Sequence, residues 1–392
     1  MNTYWHQELA KCWVCKRGGW YWFLRQYWEH LLPELAAFVA ITLEKRFLVR
    51  KRLLNYKQFC IFALVNELAN QVFSITGKED FEKVGLEVFR YQAENCAVYR
   101  EYIQNLRIDP LEVTSIRQVP YLPIAFFKSH DVLTDLLNPP QIVFSSSGTT
   151  GMSQSKHLVT DLSIYEQSFR QAFELFYGPV SEICILALLP SYLERDGSSL
   201  IYMIDALIKD SGNENSGYFL HNHADLNKTL QKLQKSGQKT ILIGVTYALL
   251  DFLENYQLNF PELVVMETGG MKGKRKEMVR EELHEILTTG FGVSAIHSEY
   301  GMTELLSQGY SNGEGIFNCP PWMKIVLRDT NDPLSLIEGK KTGGINVIDL
   351  ANINSCSFIA TQDLGRVYSD GSFEVLGRFD NSDIRGCNLL IG

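Results

Sequence analysis

The sequence is short of features that mark several large protein classes. Its eight cysteines among 392 residues (Cys12, Cys15, Cys60, Cys96, Cys184, Cys319, Cys356 and Cys387) are thinly and irregularly spaced. That excludes a disulfide framework and predicts a reducing compartment. A basic start, an apolar core and a small-residue cleavage site are all missing, so no secretory signal is expected. The apolar stretch Leu31–Leu43 is broken by Pro33 and Glu34 and flanked by Glu29 and His30, too short and too charged to span a bilayer. Positive charge is not in excess: 37 Lys and Arg stand against 45 Asp and Glu, a net charge of -8. A general nucleic-acid binder, which needs a basic face for phosphates, is thereby excluded. There is no Walker loop, since Gly269-Gly270-Met271-Lys272-Gly273-Lys274-Arg275 fails its spacing. Internal repeats and low-complexity tracts are absent too. What remains is a cytoplasmic globular chain, 45% apolar and 21% charged, with no nucleic-acid partner and no integral membrane segment.

The first sixty-odd residues stand apart. They hold five of the six tryptophans, Trp5, Trp13, Trp20, Trp22 and Trp28. Leu31–Lys51 and Phe59–Phe73 are expected to be helical, and residues 1–75 to form a helical N-terminal extension. Cys12-Trp-Val-Cys15 is a lone CxxC without the second ligand pair a zinc site needs, so it reads as two cysteines in an aromatic segment. From Phe81 helices and strands alternate. Phe81–Leu106 has helical spacing. Gln141–Phe144, Ile183–Leu189, Thr240–Val245, Leu263–Glu267 and Val293–Ser298 read as strands, with helices at Tyr247–Tyr256 and Arg275–Thr289. This alternation predicts an α/β fold with a partly parallel sheet, with ligands at the carboxyl ends of the strands. The last ninety residues read as shorter strands with Gly, Asp and Asn turns, a β-rich layer closing the fold.

Ser145-Ser146-Ser147-Gly148-Thr149-Thr150-Gly151 follows an apolar strand. Its glycines permit close backbone approach, its successive N–H groups form an anion nest, and its hydroxyls add donors. Lys156 and His157 follow with charge suited to a polyphosphate. A solvated Ser/Gly/Thr loop is the plainer alternative.

That loop has partners downstream. Thr268-Gly269-Gly270 comes first, then Glu299-Tyr300-Gly301-Met302-Thr303-Glu304, Thr361-Gln362-Asp363, and Gly377-Arg378-Phe379-Asp380 leading to Ile384-Arg385-Gly386. In that order these motifs resemble the adenylate-forming superfamily of acyl-CoA synthetases, luciferases and peptide-synthetase adenylation domains. Phe81–Tyr102, Leu122–His130, Leu189–Met203 and the tail GRFDNSDIRGCNLL resemble, more closely, the acyl-protein synthetases of the bacterial bioluminescence operon (LuxE-type). The likeness runs from Phe81 to the end. It implies the large N-terminal domain of an adenylate-forming enzyme over residues 76–379, with mixed and parallel sheets and a truncated C-terminal lid domain. Residues 380–392 would be hinge and tail.

The resemblance also implies roles. ATP and Mg²⁺ would be the cofactors and a long-chain fatty acid, or another small carboxylic acid, the substrate. Ser146, Ser147, Gly148, Thr149, Thr150 and Gly151 would surround the β- and γ-phosphates. Gly269 and Gly270 would lie against adenine and the acyl head group, where missing side chains make room. Tyr300, followed by Gly301, would stack on adenine. Thr303 would contact the α-phosphate and Glu304 would hold Mg²⁺. Asp363 would accept from both ribose hydroxyls, with Arg378 at the ribose or phosphate edge. Arg195, just past an apolar strand, would meet a carboxylate or phosphate; a surface ion pair is its alternative. From its place before the Tyr-Gly motif alone, His297 is open between contact with the acyl pocket and a structural role, and His221-Asn222-His223 reads as a polar loop.

One departure from the superfamily is plain. Its members carry a mobile C-terminal domain after the Gly-Arg-x-Asp hinge, with a lysine that assists adenylation. This chain stops twelve residues past Asp380, so Lys156, Arg195, Lys272 or Lys274 would serve instead, or adenylation would be slow, or a partner would complete the site. Cys387 sits in Arg385-Gly386-Cys387-Asn388, where Arg385 would lower its thiol pKa. The family is acylated on a cysteine near the C-terminus, which implies transfer to Cys387, with Cys356 as the fallback, and hand-off to an acyl reductase or acyltransferase. Two other functions stay open: a ligase that passes the acyl group to coenzyme A or a carrier protein, and a non-catalytic nucleotide- or acyl-binding scaffold.

Overall fold

A computed structural model describes residues 63–134, 139–146, 154–190, 197–269, 278–337, 339 and 342–378. The chain divides into two units, Met1–Leu64 and Val65–Gly392, and every strand among the described residues lies in the second.

Five strands form a parallel half-sheet: β4 (Cys184–Leu188), β5 (Gly217–Tyr218), β6 (Thr240–Val245), β7 (Val264–Thr268) and β8 (Ile296–Tyr300). Their spatial order is β5-β4-β6-β7-β8, and every neighbouring pair is parallel. All residues of β4 and β6 are buried, which is why both read as unbroken apolar runs rather than alternating ones. Helices link the strands. In His223–Ser236 the buried residues are Leu226, Leu230 and Leu233, one stripe at helical spacing. Arg280–Phe291 ends on Gly292 at φ +65°, where a Cβ would sit 2.6 Å from the Asn259 Cα. Only glycine fits that left-handed, crowded position.

At β8 the sheet changes character. β9 (Gly309–Ser311), β10 (Ile316–Asn318) and β15 (Phe373–Arg378) continue it antiparallel, followed by β14 (Phe358–Val367), β13 (Gly343–Asp349), β11 (Met323–Arg328) and β12 (Leu336–Ile337). The short β1 (Leu122–Pro123) adds to β14 in parallel. β2 (Ile142–Ser145) and β3 (Lys156–Val159) form a separate antiparallel hairpin. The expected mixed α/β architecture is present, with a β-rich second half. Two strands of that half are longer than the expected short ones: β13 has seven residues and β14 ten. The stretch Phe81–Leu106, expected as one helix or two, is two helices, Lys78–Asn95 and Ala97–Asn105, separated at Cys96 in extended backbone. His221-Asn222-His223 is not simply a loop: Asn222 caps a helix, its Oδ1 accepting from the Asp225 N–H at 3.2 Å. Among the described residues no helix is long and apolar enough to cross a membrane.

Candidate active site

Three clusters meet where β7 and β8 end and the antiparallel half begins. The first joins β8 to β14 and β15. Tyr300 closes β8, and its hydroxyl donates to Asp363 Oδ2 at 2.9 Å. Arg378 Nε stands 3.4 Å from Asp363 Oδ1, because the two residues are register partners across β14 and β15. Immediately beyond, the register shifts: Leu364 pairs Gly377 but Gly365 pairs Val375, so β15 carries an extra residue there. Such a bulge re-aims side chains at the end of a ladder. The Tyr300 ring makes T-shaped contacts with Phe317 and Phe373. Arg378 is 80% exposed on its side chain while Asp363 is 7% exposed, so the carboxylate is held from within and open on one edge only. Behind it, buried Arg328 donates to the carbonyls of Ile345 and Thr361 and to Asn346 Oδ1, clasping three strands.

The second cluster joins the β2–β3 hairpin to the turn after β8. Ser146 N–H donates to the Ser155 carbonyl at 3.1 Å, and Ser155 N–H donates to Ser146 Oγ at 3.0 Å. The hairpin is thus closed by mutual hydrogen bonds between Ser146 and Ser155. The Ser155 side chain also hydrogen-bonds the buried Glu304 carboxyl, which burial nonetheless pushes above the ordinary carboxylate range. Lys156 is exposed at the start of β3. His157, in contrast, is buried, with both ring nitrogens engaged within the protein. Its Nδ1 lies 2.9 Å from the Thr303 carbonyl and its Nε2 3.1 Å from Asn352 Oδ1. Asn352 Nδ2 donates to the carbonyls of Glu304 and Cys356, which fixes its Oδ1 towards the ring. The same turn is held by Asp349, whose carboxylate accepts from the N–H groups of Leu306, Ser307 and Ala351 and from Ser307 Oγ.

Both ring nitrogens of His157 face acceptors, which favours the doubly protonated ring, yet burial outweighs this and pushes its pKa down to about 4. A histidine that stays neutral when folded but charges when unfolded makes stability fall with acid. Its contribution is complete above the unfolded pKa near 6.5 and lost as pH drops towards 4. The full loss is about 3 kcal/mol at 1.36 kcal/mol per unit. Urea unfolding of wild type and His157→Gln across that window should show a steeper acid decline in wild type; parallel curves would contradict the assignment.

The third cluster lies between β7 and β8. Thr268 Oγ1 donates to Glu299 Oε2 at 2.8 Å on one face of the sheet. On the other face, Ser298 Oγ donates to Glu267 Oε1 at 2.8 Å and Thr246 Oγ1 to Glu267 Oε2 at 3.2 Å. Thr246 Oγ1 also donates to the Gly269 carbonyl at 2.7 Å, where the chain turns at φ +61°. Gly301 has no side chain to displace the Glu299 carboxyl, which lies where a Cβ would be. His297 Nδ1 lies 3.2 Å from the Tyr177 hydroxyl.

The structure therefore gathers Tyr300, Gly301, Thr303, Glu304, Asp363 and Arg378 at one end of the sheet, with Gly269 on the neighbouring strand end and Ser146 and Lys156 at the hairpin. Ser147, Gly148, Thr149, Thr150, Gly151, Arg195, Gly270, Lys272, Lys274 and Cys387 lie outside the described residues. Arg195 belongs to the segment before Gly197, whose carbonyl accepts from the Ser145 N–H at 2.7 Å. Glu267, Glu299, Asp349 and Asn352 are not among the site residues expected from sequence. A signal existed for two of them: Glu267 and Glu299 are each the second-last residue of a strand, beside a predicted glycine turn.

Parallel strands that end in a glycine turn and a Tyr-Gly-Met-Thr-Glu turn, closed by an antiparallel half that supplies an aspartate, define an adenylate-forming ligase. The family can be narrowed further: the model described as acyl-protein synthetase, LuxE, matches residues 71–392, and the chain belongs to that family. Among curated relatives, a long-chain-fatty-acid–luciferin-component ligase of Vibrio harveyi is 21% identical over 332 residues, 77% of this chain and 84% of that protein. The protein of the same description from Photorhabdus luminescens is 35% identical over 71 residues, spanning only 60% of its length. Among solved structures, an open conformation of 2-hydroxyisobutyryl-CoA ligase in complex with 2-HIB-AMP and CoA has a TM-score of 0.57 at 11% identity. That match covers 78% of this chain and 77% of the other. The same ligase in its thioesterification state gives 0.57 at 13% identity, covering 78% and 70%. These likenesses establish the fold. Family and fold together indicate an acyl-adenylate-forming ligase.

Proposed function

We propose that the protein activates a long-chain fatty acid with ATP to an acyl-adenylate and then transfers the acyl group to its own Cys387. The observation that carries the reading is the convergence of Tyr300, Asp363 and Arg378 with Thr303 and Glu304 at one sheet end, in a chain of the acyl-protein synthetase family. The carboxylate of the acid attacks the α-phosphate of ATP and pyrophosphate leaves in line, so the protein positions charges rather than forming bonds. Asp363, an acceptor with one open edge, suits the two ribose hydroxyls. Thr303 suits the α-phosphate, and the Ser146–Gly151 loop the β- and γ-phosphates. Exposed Lys156, at the foot of that loop, is the cation we assign to the leaving pyrophosphate; Arg195 is the second. Glu304 fits Mg²⁺: its buried carboxyl forms no short ion pair among the described residues, and one carboxylate plus phosphate oxygens is how this ion is commonly held. When bound, the ion would neutralise charge on the phosphates.

Residues 76–379 would form the catalytic domain and 380–392 the hinge and tail. A need for ATP and a free thiol suits the cytoplasm, and a reductase or acyltransferase would take the acyl group. The test is intact mass after incubation with Mg-ATP and a panel of fatty acids. Wild type should gain a hydroxylamine-labile adduct of acyl mass, and Cys387→Ala should lose at least about nine-tenths of it, since the attacking thiol is gone. Undiminished turnover by the variant with coenzyme A present would move the reading to a coenzyme A ligase. No pyrophosphate release with any acid would reduce the protein to a scaffold.

A further inference from the structure

Adenylation consumes a carboxylate and needs no base. Thioester formation is different: a thiol must lose its proton as it attacks. A group able to take that proton should lie at the strand ends where this fold class binds ligands, and should carry a charge no cation cancels.

Glu299 meets both conditions. It is the second-last residue of β8, half-buried, between the Thr268-Gly269 turn and the Tyr300-Gly301 turn. Thr268 Oγ1 engages its Oε2 at 2.8 Å. Its Oε1 has no hydrogen-bond donor among the described residues and lies against exposed Gly301, 2.3 Å from where a Cβ would be. The titratable groups around it are Tyr165 and Tyr177 from the helix Leu162–Tyr177 and Tyr310 from β9, with Glu267 of β7 on the other face of the sheet. His297 shares its strand and face. Among the described residues no lysine or arginine faces it, so within them the half-buried carboxylate has no compensating cation.

We propose that Glu299 is the general base of the acyl-transfer half-reaction. This rests on the reading of the protein as an acyl-adenylate-forming thioester synthetase. The Glu299 carboxylate takes the thiol proton as sulfur bonds to the acyl carbon. The acyl carbon–oxygen bond to the phosphate breaks, and AMP leaves with that electron pair. Burial, reinforced by the charge of Glu267, pushes the Glu299 carboxyl up to about 7, against the hydrogen bond from Thr268, and a base poised there is matched to neutral pH. His297 is the rival base. It lies two residues further from the carboxyl end of β8, about 7 Å deeper, and its Nδ1 is engaged by Tyr177.

The experiment separates the two half-reactions in the full-length protein, with Mg-ATP and palmitate as the probe. Pyrophosphate release reports adenylation; acyl transfer to the protein and to added coenzyme A is followed in single turnovers across pH. Glu299→Gln should slow transfer at least about a hundredfold, with a loss in pyrophosphate release at least tenfold smaller. The wild-type transfer rate should rise through a limb near pH 7 that Glu299→Gln lacks. Thr268→Val, which removes the hydrogen bond favouring the carboxylate, should move that limb to higher pH. If transfer goes only to coenzyme A, self-acylation fails while Glu299 is still judged by the same limb. Transfer by Glu299→Gln within about threefold of wild type, a limb that Thr268→Val leaves in place, or a loss confined to His297→Gln overturns the proposal.

Discussion

Asp349→Ala should lower the unfolding free energy by about 3–5 kcal/mol, the largest stability loss of any single side chain in the site. The carboxylate is fully buried and closes four hydrogen bonds: Leu306 N–H at 2.7 Å, Ser307 N–H at 3.0 Å, Ser307 Oγ at 2.6 Å and Ala351 N–H at 3.2 Å. Three of these donors are backbone groups that the carboxylate alone satisfies. Removing it strands them in a dry interior, and each costs about 1–3 kcal/mol. Ser307 Oγ has an escape, since Ser168 Oγ and the Trp322 indole N–H already share it; that is why the sum falls short of four full penalties. Asp349→Asn keeps one acceptor and should cost roughly half as much. The urea midpoint and slope decide the matter. A loss under about 1 kcal/mol would show that the turn after β8 re-forms without its anchor. Because that turn carries Thr303 and Glu304, adenylation should fall with stability in Asp349→Ala, and a variant both stable and active would sink the account.

How much of the fold and site is legible in the sequence depends on the kind of residue. Strands β4, β6 and β7 are readable because burial on both faces writes an unbroken apolar run, which needs no knowledge of the partner strand. Thr268-Gly269, Tyr300-Gly301-Met302-Thr303-Glu304 and Asp363 are readable because turn chemistry and motif order survive when overall identity is low. His157 misleads through its surroundings: its neighbours Ser155 and Lys156 suggest a charged loop, but strand alternation from Lys156 turns His157 inward. Asp349 and Asn352 give no local sign of their role in the site, because the groups of the Thr303–Ser307 turn that they bond lie more than forty residues away in sequence. Glu299 illustrates the remaining case. A carboxylate at the head of a motif whose expected roles fall on later residues looks incidental until the sheet pairs it with Thr268 and, among the described residues, sets no cation beside it. The helices at Ser199–Ser211 and His223–Ser236 are hidden for a simpler reason: the polar caps at Ser198 and Asn222 read as loop when taken without the helices they start.

Asp363→Ala should reduce kcat/KM for ATP roughly a thousandfold, the largest catalytic loss expected outside the acyl-accepting cysteine. A hydrogen bond to a charged group contributes about 1.5–3 kcal/mol. Two such bonds to the ribose hydroxyls would supply roughly 3–6 kcal/mol, which at 1.36 kcal/mol per factor of ten brackets that loss. Tyr300→Phe probes the same carboxylate from the other side. It deletes the 2.9 Å bond to Asp363 Oδ2 but leaves the charge and most of the ring's contact with Phe317 and Phe373, so the expected loss is about tenfold. Arg378→Ala removes an exposed partner 3.4 Å from Oδ1. An ion pair so exposed contributes little to stability, so unfolding should change by less than about 1 kcal/mol while the KM for ATP rises. Pyrophosphate release measured against ATP concentration distinguishes these cases. If Asp363→Ala raises the KM for the fatty acid and leaves that for ATP unchanged, the carboxylate does not face the nucleotide, and the assignment of this sheet end to ribose is wrong.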